Sequence, residues 1–145
     1  MTTDLVAKQD ELRAQVFALE REMLGMPQVE LKLIHHFAPG LYAREMHVPA
    51  GVALTGAIHK HASLLILSKG SMVLATEEGP KLVSAPYTVV SPPGAKRAGV
   101  AIEDCVWTGF FVTDETDPDT IVKQATTNDE QEYLAFRGAL QLEGK

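Results

Sequence analysis

Leu5, Leu12, Val16, Leu19 and Met23 recur at steps of three, four and seven residues, and Asp10, Glu11, Arg13, Glu20 and Arg21 fill the other positions. That period predicts an amphipathic helix over 4–24, ended by Gly25 and Pro27. Its apolar stripe packs either on its own domain or on a second subunit. From residue 29 the period shortens to two. Val29–Ile34 and Leu41–Val48 are the first predicted strands, followed by short segments at Val52–Ile58, Leu64–Leu67, Met72–Ala75, Lys81–Val83, Tyr87–Val90, Gly99–Ile102 and Val106–Val112. Pro and Gly separate many of them, and no helical pattern intervenes, which predicts an antiparallel sandwich or barrel. The tail returns to helix at Pro118–Gln124, and Asn128-Asp-Glu-Gln131 reads as a capping box leading into Tyr133. The pattern divides the chain into an N-terminal helix and linker (1–28), an all-β core (29–113) and a partly helical extension (114–145).

Composition narrows the class. The 145 residues suit one domain, and 46% hydrophobic with 22% charged residues excludes disorder of the whole chain. The single cysteine, Cys105, cannot make an internal disulfide. The first residues lack the apolar region of a signal peptide, and no aliphatic run is long enough to span a membrane. A soluble, cytoplasmic domain with no membrane partner is expected. The net charge of −6 is unevenly placed: residues 1–30 carry three basic and six acidic groups, 31–112 seven and five, 113–145 three and eight. An acidic chain without a Lys/Arg cluster is unsuited to duplex nucleic acid. The basic balance of the middle suits a small anionic ligand inside the core.

The chemistry-bearing residues lie between Gly51 and Ala101. Gly51 is followed by five residues, Ala57-Ile-His59, three residues, Ser63, six residues and Gly70. Further on, Pro86 is followed by five residues, Pro92-Pro-Gly94, two residues, Arg97, three residues and Ala101. These spacings resemble, without a gap inside either, the two motifs of the cupins. The span from His36 to Trp107 resembles small cupin-like proteins of tailed bacteriophages and prophages, through Gly40-Leu-Tyr-Ala-Arg-Glu45, Pro49-Ala-Gly51, Ser91-Pro-Pro-Gly94 and Glu103-Asp-Cys-Val-Trp107. The resemblance implies a single small jelly-roll-like β-barrel flanked by helices. It says little of activity, because cupins host many functions.

The resemblance also implies a divalent metal held by two His and a Glu of the first motif and a His of the second. At those four positions this chain has Ala57, His59, Ser63 and Arg97. Alanine has no lone pair, serine is a weak neutral ligand, and a guanidinium cannot deprotonate to coordinate. No metal and no other cofactor is therefore expected. The alternative metal set is His59 with His61, which share a face if the strand continues, completed by His47.

In the cupin register Thr55, Ala57, His59, Ser63 and Arg97 point inward, with Tyr42 and Trp107 as further wall. Small side chains at 55, 57 and 63 leave space. His59 can donate, accept or shuttle a proton, and Arg97 presents a fork for a carboxylate or phosphate. Arg97 could instead be answered by a protein acid, Glu45 or Glu103. Lys60, Lys69 and Lys96, beside turns, are expected in solvent. Three function classes follow: a metal-free binding protein for a small anion; an enzyme, either metal-dependent or an isomerase or epimerase using His59 as base; and a structural module. Exposed sheet edges and the N-terminal helix predict a homo-oligomer, most simply a dimer.

Overall fold

The computed structural model describes residues 3–142, and of their side chains those of 4–139. Helix α1 spans Thr3–Met23. The strands are β1 (Lys32–Ala38), β2 (Leu41–Val48), β3 (Ala53–Thr55), β4 (Ile58–His59), β5 (Ser63–Lys69), β6 (Ser71–Thr76), β7 (Gly79–Ser84), β8 (Tyr87–Ser91), β9 (Ala98–Ala101) and β10 (Cys105–Val112). Helix α2 (Pro118–Ala125), a two-residue strand β11 (Thr126–Thr127) and helix α3 (Glu130–Leu142) follow. The sheet orders are β1-β2-β10-β5-β8 and β3-β9-β6-β7, with a separate β11-β4 pair, and every pairing is antiparallel. The all-β core with flanking helices is as expected, and two facing sheets of this kind are consistent with a jelly roll.

Alternation builds the core. Tyr42, Arg44, Met46 and Val48 take one face of β2, and the register sets them opposite Phe111, Gly109, Trp107 and Cys105 of β10. Val48, Leu65, Leu67, Cys105 and Trp107 of the larger sheet pack on Met72, Leu74, Val83 and Ala101 of the smaller one. Burial pushes the Cys105 thiol up, in keeping with a small apolar packing role. Gly70, at φ +86°, admits no side chain, because a Cβ would fall on the Asp104 carbonyl oxygen and on Cys105 Sγ.

Three expectations need correction. The first strand begins at Lys32, not Val29, and runs on to Ala38 because a hairpin at Pro39-Gly40 pairs its whole length with β2. The segment Val52–Ile58 is broken at Gly56-Ala57 into β3 and β4, which pair with different partners. The cap of α3 is Asp129, whose Oδ1 accepts from Gln131 N at 2.9 Å and Glu132 N at 3.3 Å. Asn128 is turned away from the helix it was expected to cap.

Helix α1 packs on its own domain, by a face that keeps Val16 of the expected stripe and leaves Leu5 and Leu19 out. The face against the domain is Gln9, Arg13, Val16, Phe17 and Glu20, while Leu5 and Leu19 are 46% and 42% exposed. The polar face wins because the surface beneath it is polar. Gln9 Nε2 donates to Pro93 O at 3.0 Å, and Arg13 donates to Gly94 O at 3.1 Å, Asp10 at 2.6 Å and Glu130 at 3.2 Å. Lys96, expected in solvent, is fully covered and bound to Glu20 at 3.0 Å. Lys60 is likewise not free in solvent and pairs with Glu132 at 3.1 Å. Among the described residues no helix is long and apolar enough to cross a membrane.

Candidate functional site

Toward one end of the sandwich the two sheets separate around a cavity of about 350 Å³. Gly109 leaves room opposite Arg44, and Gly99 and Ala57 add no bulk to the wall. The apolar lining includes Leu54, Leu65, Met72, Leu74, Trp107 and Phe111. Its basic members are Arg44, His59 and Arg97, and among the described residues no Asp or Glu lines it.

Each basic group is set by its strand. Arg44 is inward by its parity with Tyr42 and Met46. His59 ends β4, and its backbone ties that strand to the Pro92–Arg97 loop: its N–H donates to Ala95 O at 3.0 Å, and its carbonyl accepts from Gly94 N at 2.7 Å. The same bonds bring Arg97 to the cavity. Gly94 allows the approach, with φ +89° and a Cβ position only 2.6 Å from Tyr133 Oη and 2.9 Å from Gln9 Oε1.

Arg97 Nε donates to Ser91 Oγ at 2.8 Å, and among the described residues this is its hydrogen bond to the protein. Neither expected acid answers it. Glu45 accepts from His36 at 2.9 Å and His47 at 2.6 Å, and Glu103 accepts from Ser71 at 2.8 Å. Burial holds the guanidinium below its ordinary value, only partly offset by the field of Glu77 in the exposed β6–β7 turn. Burial, then Arg97 and Arg44, push the imidazole of His59 down from its usual value, so the ring is neutral at pH 7. It stacks on Phe111 with centroids 6.3 Å apart. Among the described residues, the guanidinium of Arg44 and the ring nitrogens of His59 hydrogen-bond to no protein atom.

The remaining candidates divide. Thr55 and Trp107 line the cavity, but the Thr55 hydroxyl is committed to Glu20 Oε2 at 2.6 Å. Tyr42 does not line it; it is fully buried, shares a 2.7 Å hydrogen bond with His35 Nδ1 and stacks between Phe37 and Phe111. Ser63 borders an outer groove that shares His59 and Phe111 with the cavity, and its buried Oγ lacks a partner among the described residues. His61 borders the same groove, edge-on to Phe136 at 5.3 Å. His47 is held by Glu45 away from both. His59 and His61 thus line one groove without His47, and among the described residues no three His, Cys, Asp or Glu side chains are placed to hold a metal ion. The residues at the cupin metal positions do not fit a metal: Ala57 has no donor, Ser63 is outside the cavity, and Arg97 brings a fixed cation.

Arg44 was missed as a cavity residue. The signal was present in its parity with Tyr42, which was read as wall, but a single arginine in an alternating strand also suits the outer face. Only Gly109 opposite it, invisible without the register, makes the inward choice possible.

Solved structures place the fold among cupin domains. The chain is similar to a cupin superfamily protein from Desulfitobacterium hafniense DCB-2, at 8% identity and TM-score 0.50, over 61% of this chain and 83% of that one. It is also similar to a salicylate 1,2-dioxygenase from Pseudaminobacter salicylatoxidans, at 14% identity and TM-score 0.51, over 70% of this chain and 32% of that one. A third likeness is to KdgF from Halomonas sp., at 21% identity and TM-score 0.49, over 63% and 88%. At such identities the likeness is one of fold. No family model and no curated protein sequence matches the chain.

Proposed function

We propose that this cupin fold serves as a metal-independent binding protein for a small anionic molecule, held in the cavity by Arg97 with His59 beside it. The observation that carries the reading is Arg97, which makes no ion pair among the described residues: a desolvated guanidinium is costly without an opposite charge, Glu45 and Glu103 are engaged elsewhere, and Glu77 acts on it only through its field. A charge-assisted contact contributes about 1.5–3 kcal/mol, or one to two decades of affinity. The test is a thermal-shift and calorimetric screen of nucleotides, sugar phosphates and small organic acids against wild type and Arg97→Leu. A binder whose affinity falls tenfold or more in Arg97→Leu is expected. A binder indifferent to that change, or the failure of every anion to bind, overturns the reading.

A second reading, a metal-free isomerase or epimerase, draws on His59, whose neutral ring is competent as a base. It lacks a paired acid among the residues lining the cavity. The wider setting belongs to the same proposal: a cytoplasmic accessory protein of the phage and prophage type, acting as a homodimer. Pairing is supported by the outer groove, where Leu41, Leu64, Val90 and Val112 are exposed and await cover. A monomer mass by light scattering at micromolar concentration would refute the dimer.

A further inference from the structure

The cavity's lining says more than that its ligand is an anion. Thr55 and Thr126 line it, yet their hydroxyls are already given to Glu20 and to the Val122 carbonyl, at 2.6 and 2.7 Å. Among the described residues no Asn, Gln, Asp or Glu lines it. A sugar or nucleoside would bury several hydroxyls here with few side-chain acceptors to receive them, and each unpaired polar group is penalised on burial. The rest of the lining is largely carbon, from Leu54, Met72, Leu74, Trp107 and Phe111, and the volume lies at the small end of the roughly 300–1,000 Å³ range of ligand sites.

We infer that the ligand is a small amphipathic organic acid, its acidic head between Arg44, Arg97 and His59 and its apolar body against Trp107 and the aliphatic wall. This rests on the anion-binding reading and gives that anion a chemical class. Arg97 keeps its terminal nitrogens for the head, because Ser91 engages only Nε. Arg44 supplies a second guanidinium with no protein partner. His59, neutral, donates or accepts one hydrogen bond. The apolar lining then buries the body of the acid while its charge is answered.

Trp107 is the single tryptophan of the chain, so its fluorescence reports on the cavity directly. The experiment titrates the full-length protein with phenylacetate and phenyl phosphate as amphipathic acids, phenylacetamide as a neutral counterpart, and glucose 6-phosphate and AMP as polyhydroxylated anions. The amphipathic acids are expected to change the Trp107 emission saturably and to bind at least tenfold more tightly than the amide and than the polyhydroxylated anions. The loss in Arg44→Met is expected to be at least tenfold, and in Arg44→Lys smaller. Should Arg44→Met fail to fold, Arg44→Lys and the acid-to-amide ratio on wild type still decide the matter. Tight binding of glucose 6-phosphate or AMP without the amphipathic acids overturns this inference and leaves the anion reading standing. Equal binding of acid and amide, or no binding by any anion, overturns both.

Discussion

Lys96 and Arg97 are neighbours in the chain, and the structure treats their charges in opposite ways. Lys96 turns to the seam beneath α1, where its ammonium meets Asn128 Oδ1 at 2.6 Å, Gly56 O at 2.7 Å and Glu20 Oε2 at 3.0 Å. Phe17 lies over it, its ring centroid 4.4 Å away. Arg97, one residue on, turns into the cavity and meets Ser91 by one nitrogen. Arg44 meets none. Lys96 is fully buried and Arg97 and Arg44 are half-buried, and at the seam the protein answers the cation while in the cavity it does not. A buried charge complete with partners is part of the scaffold; one left open is a place for something to bind.

The largest effect expected from this contrast is on stability. Removing one member of a buried ion pair costs about 3–5 kcal/mol. Lys96→Met is expected to destabilise the fold by about 3 kcal/mol, read by chemical denaturation, because it strands Glu20 and Asn128 against α1. Arg97→Leu, which strands only the buried Ser91 hydroxyl, is expected to cost about 1 kcal/mol. If the two variants cost the same, the seam and the cavity are not different in kind.

Next in size is Gly94→Ala. The left-handed backbone alone costs an ordinary residue about 1–2 kcal/mol, and the new methyl group would press on Tyr133 and Gln9. A loss of about 2 kcal/mol is expected, again by denaturation. Pairing it with Tyr133→Phe separates backbone cost from contact cost: if the contact matters, the second change recovers part of the loss.

The same contrast marks what could be read from the sequence. Alternation located the strands, since a two-residue period fixes which face is buried regardless of what lies opposite, and the motif spacing placed His59 and Arg97 at one cavity. In α1 the period was right but the face is turned: Val16 is buried as the stripe predicts, while Leu5 and Leu19 are exposed. Leu5 and Leu19 outvoted Gln9, Arg13 and Glu20 on hydrophobicity, yet the surface to be covered, made of Gly94 O, Lys96 and Asn128, is polar and comes from a distant part of the chain. Asn128 was misread for the same reason: its partners are Lys96 and Glu20, not the helix it precedes. Composition cannot show that a polar residue's partner is another buried polar residue far away.

The third prediction tests whether the two open guanidiniums serve one ligand. Arg44→Met is expected to leave unfolding stability within about 0.5 kcal/mol of wild type, since no protein partner is lost. For an amphipathic acid it should lose about tenfold in affinity, or about 1.4 kcal/mol. If both groups grip one acidic head, the double variant with Arg97→Leu loses less than the two single losses added, because the head is no longer anchored in either single variant. Strict additivity would separate Arg44 from the site.

The smallest effect is in the pH dependence, and it follows from His59. Burial, reinforced by Arg97 and Arg44, holds its pKa below the ordinary 6.5, so between the depressed folded value and 6.5 the unfolded chain carries a proton that the native one lacks. Stability from this group is therefore full above 6.5 and falls as the pH drops through that window, with a slope of at most about 1.4 kcal/mol per pH unit. An anion seated between Arg44 and Arg97 offsets their charge at the ring and raises its pKa, so binding takes up a proton and affinity rises as the pH falls through the interval between the bound and the free pKa of the ring. Calorimetry of phenylacetate in buffers of different ionisation enthalpy measures that uptake directly. His59→Gln should abolish it while keeping a hydrogen-bonding side chain in place. An uptake that survives His59→Gln would mean that the proton goes elsewhere, and that the imidazole does not stand beside the bound anion.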